Sequence, residues 1–125
     1  MTNKEAAEIF KKNINSVEIG THNYCNRTCT FCPLSLDSVN RRNFKNTIFM
    51  KDEMYESIMK QLASIEFDGR LDFSRYHEPT SHKKYIIEKI KIARSYLPKA
   101  NISLNTNSDY MTKEYHQQLL EAGVS

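Results

Sequence analysis

The residues most suited to chemistry are three cysteines near the start of the chain. Cys25, Cys29 and Cys32 are the only cysteines of the sequence, and their spacing is C-x-x-x-C-x-x-C. Thiolates prefer iron–sulfur clusters, zinc or copper(I), and three of them on one loop can reach a single metal centre. A cubane of four irons usually takes four cysteines. Three cysteines would therefore leave one iron open to a small molecule.

A zinc site is the main alternative for the same loop. Zinc bound by three cysteines and one histidine is tetrahedral, and the candidate histidines are His22, His77, His82 and His116. The sequence has neither a second C-x-x-C nor an H-x-x-x-H that would complete a paired zinc signature. A disulfide framework is less favoured because the cysteine count is odd. The residues alone favour a cluster and leave zinc open.

The composition is that of a globular protein of one modest domain. The chain has 125 residues, 39% of them hydrophobic and 26% charged, with a net charge of +3. The densest basic patch, formed by Lys83, Lys84, Lys89, Lys91 and Arg94, is typical of a solvated helix face rather than a nucleic-acid interface. No apolar run reaches the length of a membrane span, and the N-terminus lacks a signal-peptide pattern. We expect a cytoplasmic protein without a membrane or a specific nucleic-acid partner.

Strands and helices alternate along the chain and must position the cysteine loop. The patterns predict strands over 16–20, 70–74 and 102–105 and helices over 2–13, 52–67, 81–97 and 112–122. Asp52 and Ser81 are predicted helix caps, and Met54, Ile58, Leu62 and Ile65 form a predicted core stripe. Residues 34–50 are polar and aperiodic, which predicts a long loop in which Arg41 and Arg42 are candidates for contact with an anionic group.

This alternation predicts an α/β fold with parallel strands and right-handed crossovers. One face of the strands carries mostly polar residues, namely Glu18, Gly20, Asp72, Ser74, Ser103 and Asn105. Such a face fits the interior of a barrel, where chemistry lies at the C-terminal strand ends. Three units cannot close a barrel. We expect a partial TIM-like barrel in which residues 1–125 form a single incomplete domain, with an N-terminal helix over 1–15, three βα units over 16–125 and a missing C-terminal half.

The cysteine spacing, with Phe31 just before the third cysteine, resembles the radical SAM enzyme family. In that family the three cysteines hold a 4Fe–4S cluster and S-adenosylmethionine binds the fourth iron. Reductive cleavage then gives a 5′-deoxyadenosyl radical that takes a hydrogen atom from the substrate. The resemblance implies that Cys25, Cys29 and Cys32 bind the cluster and that Phe31 lies against the adenine. It also implies a reductase such as flavodoxin or ferredoxin.

The stretch after the second strand resembles a second motif of this family. Many members carry G-G-E-P there, and this chain has Tyr76, His77, Glu78 and Pro79. The resemblance implies that Glu78 holds the amino group of the cofactor's methionine. Tyr76 and His77 replace two glycines, the residue type that permits close backbone approach and positive φ.

The stretch after the third strand resembles a third motif, T-N-G. Here it reads Thr106, Asn107 and Ser108, so the glycine is replaced. The resemblance implies that Asn105, Thr106 and Asn107 line the cofactor site, near the methionine carboxylate or the ribose.

The substrate is not defined by these motifs. Pro33 after the last cysteine, together with Glu78 and Pro79, resembles family members that modify peptides, so a peptide is one expected substrate. The alternative function is a non-catalytic zinc- or cluster-binding module that acts as an interaction fragment.

Overall fold

The computed structural model of the chain describes residues 1–37 and 43–125. In these residues the elements are α1 (Asn3–Asn13), β1 (Ser16–Ile19), α2 (Asp52–Ser64), β2 (Arg70–Phe73), α3 (Lys83–Tyr96), β3 (Asn101–Leu104) and α4 (Lys113–Ala122). Short 3-10 turns span Pro33–Asp37, Phe44–Asn46 and Pro79–Ser81. The predicted alternation is confirmed. Arg41 and Arg42, the candidates for an anion contact, lie outside the described residues.

The strands form one parallel sheet in the order β1-β2-β3. Val17 aligns with Leu71 and Leu71 with Ile102, so the three strands run in step and finish at the same edge. The α/β fold is confirmed, and the three successive βα units agree with a partial barrel. Because parallel strands share a C-terminal edge, the loops that follow them are neighbours in space.

The apolar face of the sheet packs under the helices. Leu71, Phe73 and Ile102 are fully buried. They belong to one core cluster with helical side chains that include Tyr55, Met59, Ile86, Ile90 and Leu119. Burying a side chain of this size contributes about 1.5–3 kcal/mol, so this layer holds the strand ends in place.

The polar face is tied together across strands. The Asp72 carboxylate is buried. It accepts hydrogen bonds from Ser103 Oγ at 3.0 Å and from Asn105 Nδ2 at 3.1 Å. The predicted split between an apolar and a polar face is therefore present, and β2 is linked to β3 on the polar side.

Helix α2 differs from its prediction in phase and length. Its buried face consists of Tyr55, Met59 and Leu62, whereas Met54 is 57% exposed, so the predicted stripe is wrong at its first position. The helix ends at Ser64 instead of reaching Phe67, because the chain turns at Glu66, which has a φ of 50°. Asp52 is the first helical residue rather than the cap.

Lys89 does not belong to an exposed basic face, so that prediction is wrong for this residue. The side chain is only 3% exposed, and its Nζ donates to Asp52 Oδ1 at 2.7 Å. The ammonium also lies 5.0 Å from the ring centroid of Tyr55 and 5.1 Å from that of Tyr85. A carboxylate and two aromatic faces thus compensate the burial of this charge.

The helix ends follow ordinary capping chemistry. Thr2 and Glu5 form a capping box at α1, and the Thr112 hydroxyl accepts from Tyr115 N at α4. Gly123 closes α4 with a φ of 129°. Ser81 was predicted to cap α3 but lies in the preceding 3-10 turn, where its hydroxyl donates to Glu78 O. Among the described residues, no helix has the length and hydropathy to span a membrane.

Candidate functional site

The cysteine loop follows β1 and presents three free thiols. Cys25, Cys29 and Cys32 are all half-buried. Cys32 N donates to Cys29 O at 3.0 Å, and Ser35 N and Oγ donate to Cys32 O at 2.9 and 2.7 Å. The second and third cysteines thus share a turn that continues into the 3-10 turn Pro33–Asp37.

The donor set on this loop fits a soft metal centre. The loop offers three free thiols, and thiolates are ligands that iron–sulfur clusters and zinc prefer. In the described ranges, no three His, Cys, Asp or Glu side chains lie in an arrangement that could hold a metal ion. The three thiols must therefore turn toward one another before they can bind either a cluster or a zinc ion.

Phe31 occupies the outer side of the same loop. This residue is 88% exposed. The ring is available to cover a planar group bound over the cysteines. Its predicted contact with adenine stays a prediction.

Glu78 connects the ends of all three strands. Its backbone N donates to Tyr24 O, next to Cys25, at 2.8 Å. Its Oε1 accepts from Thr80 N at 3.0 Å, Thr80 Oγ1 at 2.7 Å and Thr106 Oγ1 at 2.5 Å, and its Oε2 accepts from Asn107 N at 2.7 Å. The residue is 2% exposed. An ionised carboxylate has about four acceptor sites, so protein donors already take up most of its capacity.

Asn107 links the third loop to the cysteine loop. Its Nδ2 donates to Asn26 Oδ1 at 2.8 Å, and its Oδ1 accepts from Asp109 N at 3.0 Å. Asn107 N also donates to Glu78 Oε2, and Glu78 N donates to Tyr24 O. Glu78 and Asn107 thus connect the residues on either side of Cys25. Thr106 and Asn105 lie on the same edge, bonded to Glu78 and Asp72. The structure thus brings together the predicted residues of all three motifs.

Asp109 forms a second link, which the sequence analysis missed. Its carboxylate accepts from Asn26 Nδ2 at 2.8 Å and Arg27 Nε at 2.7 Å, and it forms an ion pair with the outer guanidinium nitrogen of Arg27. The bonds from Arg27 and Asn26 hold the pKa of Asp109 below its usual value. The available signals were an acidic residue just after the third motif and a basic residue between two cysteines.

Two positions where the family has glycine keep a glycine-like backbone. Tyr76 has a φ of 47° and Ser108 a φ of 65°, both in the left-handed region that side chains disfavour. His77, the other glycine replacement, is not among the positive-φ residues. Tyr76 and Ser108 therefore adopt a backbone conformation that glycine adopts more readily, at the expense of local strain.

A histidine cluster lies beside the cysteine loop, and two of its members, His22 and His77, are buried. The His22 ring centroid is 4.6 Å from that of His77 and 4.8 Å from that of His82. His22 Nδ1 accepts from Tyr24 N at 3.1 Å, which gives this nitrogen a structural task. Burial, with the neighbouring His77 and His82, lowers the pKa of His22 to about 3, so the ring is neutral at physiological pH.

A family model, a curated protein and two solved structures match this chain. The family model described as Radical SAM superfamily matches residues 19–125. The chain is 35% identical over 108 residues to the S-adenosyl-L-methionine-dependent 2-deoxy-scyllo-inosamine dehydrogenase of Niallia circulans, covering 86% of this chain and 41% of that protein.

Two crystal structures of BtrN share the fold. One is a selenomethionine form in an open conformation, with 31% identity, a TM-score of 0.75 and coverage of 88% of this chain and 46% of BtrN. The other is a complex with AdoMet and 2-DOIA, with 34% identity, a TM-score of 0.75 and coverage of 88% and 42%. The chain therefore spans less than half the length of these relatives.

Proposed function

Because the chain belongs to the radical SAM superfamily, we propose that it provides the cluster- and cofactor-binding part of a radical SAM enzyme. A 4Fe–4S cluster, when bound, would supply the electron that cleaves S-adenosylmethionine reductively and starts radical chemistry on a substrate. The observation that carries the proposal is the meeting of three motifs at one sheet edge, where Glu78 bonds to both Tyr24 O and Asn107 N.

The three cysteines would hold the cluster. Cys25, Cys29 and Cys32 are free, share one loop and lie at the C-terminal end of β1. Phe31, exposed beside Cys32, would cover the adenine. The loop has no fourth cysteine, which leaves one iron for the amino and carboxylate groups of the cofactor's methionine.

Glu78 would receive the methionine amino group through Oε2. Among the described residues, Oε2 accepts one hydrogen bond, from Asn107 N at 2.7 Å, whereas Oε1 accepts three. Asn105, Thr106 and Asn107 would line the side of the cofactor that faces β3. Asn105 is exposed, and its amide is oriented by Asp72.

For the reaction, we propose dehydrogenation of a hydroxylated small molecule. The support is the relative named as a 2-deoxy-scyllo-inosamine dehydrogenase, which is 35% identical over 108 residues. The peptide substrate, the flavodoxin or ferredoxin reductase and the cytoplasmic location stay predictions. The single incomplete domain is also a proposal. It is supported by the outer edge of β3, where Ile102 O accepts from Ser125 N at 2.8 Å, as a further parallel strand would require.

The test is an anaerobic turnover assay. The chain is reconstituted with iron and sulfide, reduced with dithionite and incubated with S-adenosylmethionine, with and without 2-deoxy-scyllo-inosamine. Mass spectrometry should detect 5′-deoxyadenosine, methionine and the dehydrogenated product, and the Cys29→Ser variant should give none of these. A reconstituted protein that binds no cluster and no S-adenosylmethionine would contradict the proposal. Cleavage without the dehydrogenated product would contradict only the proposed substrate.

A further inference from the structure

A latch joins the cysteine loop to the loop after β3. It consists of Asn26 and Arg27 on one side and Asn107 and Asp109 on the other. The Asp109 carboxylate receives Asn26 Nδ2 and Arg27 Nε at 2.8 and 2.7 Å, and Asn26 Oδ1 receives Asn107 Nδ2 at 2.8 Å. The guanidinium also reaches Asn107 O at 3.5 Å. A guanidinium that meets a carboxylate with two nitrogens is fixed in orientation as well as in distance.

The latch contacts the part of the cysteine loop next to Cys25 and does not contact Cys32. Asn26 follows Cys25 directly, and Tyr24 on the other side accepts from Glu78 N at 2.8 Å, so Cys25 is held from both sides. Arg27 begins the short connection to Cys29. Cys32 is held instead by its local turn, through the bonds from Ser35 N to Cys32 O at 2.9 Å and from Cys32 N to Cys29 O at 3.0 Å, and none of these bonds involves a latch residue.

We propose that Asp109 is a positioning residue for the cysteine loop. Through Asn26 and Arg27 it fixes the backbone between Cys25 and Cys29 before iron arrives, so that the first two thiols are already oriented for cluster assembly. The inference rests on the proposed function, in that it concerns the assembly of the cluster. The latch itself is a feature of the metal-free chain and can be tested there.

The magnitude follows from the exposure of the pair. The side chains of Arg27 and Asp109 are 49% and 35% exposed, and exposed ion pairs contribute little to global stability. Cutting the latch should therefore leave the unfolding midpoint nearly unchanged and increase the mobility of the loop. An interaction of about 1 kcal/mol corresponds to a change of about fivefold in the open population.

The experiment measures the alkylation rate of each thiol in the metal-free protein. Wild type, Asp109→Asn and Asp109→Glu are treated with iodoacetamide, and Cys25, Cys29 and Cys32 are followed separately by peptide mass spectrometry. Asp109→Asn should react about fivefold faster at Cys25 and Cys29 and unchanged at Cys32, which serves as the internal control. Asp109→Glu keeps the carboxylate and should restore much of the protection. The rate at which the 4Fe–4S absorption appears on reconstitution should fall in Asp109→Asn.

Three results would overturn the inference. The first is that Asp109→Asn has the same alkylation rate as wild type at each of the three thiols. The second is an equal rise at all three with a lower unfolding midpoint, which means general destabilisation. The third is faster alkylation with no change in the assembly rate of a cluster that forms normally in wild type. A wild type that binds no cluster, but shows the predicted alkylation pattern, would contradict the proposed function and leave the latch established.

Discussion

Replacing Glu78 by glutamine is the most informative change at the meeting point of the three loops. Glutamine keeps the shape of the side chain but turns one acceptor oxygen into a donor. The carboxylate accepts from Thr80 N, Thr80 Oγ1, Thr106 Oγ1 and Asn107 N at distances between 2.5 and 3.0 Å. If the amide oxygen takes the place of Oε1, the amide nitrogen faces Asn107 N, and two donors oppose each other.

The magnitude follows from this count. One buried donor without a partner costs about 1–3 kcal/mol, and the remaining bonds change from charge-assisted to neutral, each losing about 1 kcal/mol or less. Burial of the side chain keeps solvent from compensating. We therefore expect Glu78→Gln to lower the free energy of unfolding by about 2–4 kcal/mol, without any cofactor present.

Urea unfolding of the metal-free chain, followed by circular dichroism, tests this value. Glu88→Gln is the matched control because Glu88 is an exposed carboxylate on α3, where substitution should change stability by less than about 0.5 kcal/mol. If Glu78→Gln unfolds at the same urea concentration as the control, the four hydrogen bonds do not tie the loops as described.

Three further predictions concern residues other than the cysteines. Folding lowers the pKa of His22 to about 3 from an unfolded value near 6.5. Between about pH 6.5 and pH 3 the unfolded chain therefore binds a proton at His22 that the folded chain does not bind. The free energy of unfolding should fall as the pH drops below about 6.5. At pH 5.5 the loss due to His22 should be about 1.4 kcal/mol relative to pH 8. Burial also lowers the pKa of His82, so His22→Asn should keep a smaller loss; an equal loss in both proteins would contradict the prediction. Lys89→Met should change the free energy of unfolding by less than about 1 kcal/mol, because the apolar replacement also removes the desolvation cost of the charge. Lys89→Ala should lower it by about 2 kcal/mol or more, because it leaves a cavity. Thermal unfolding that finds Lys89→Met less stable than Lys89→Ala would refute this account of the buried lysine. Ser108→Gly should stabilise the chain by up to about 1 kcal/mol, because its φ of 65° is strained for a side-chain-bearing residue, and Ser108→Val should destabilise it; urea midpoints in the reverse order would contradict the strained backbone.

The elements and the place of the site were predictable because they depend on local patterns. Alternation marked Leu71 and Phe73 as the buried side of β2, and both are fully buried. Once the strands were parallel, the motifs that follow them had to share one edge.

The errors come from contacts between residues that are distant in sequence. In α2 the apolar residues allow two helical phases, and packing against the core selects Tyr55 and Met59 over Met54. The burial of Lys89 depends on Asp52, 37 residues away. The bond from Arg27 to Asp109 spans 82 residues, and no local pattern marks such a pair.

The most direct test of the central claim is electron paramagnetic resonance of the chain after anaerobic reconstitution and reduction, with and without S-adenosylmethionine. The account predicts a 4Fe–4S signal that changes when the cofactor is added, because the three cysteines leave one iron open, and its loss in Cys25→Ser. A chain that binds tight, colourless zinc and gives no cluster signal would contradict it.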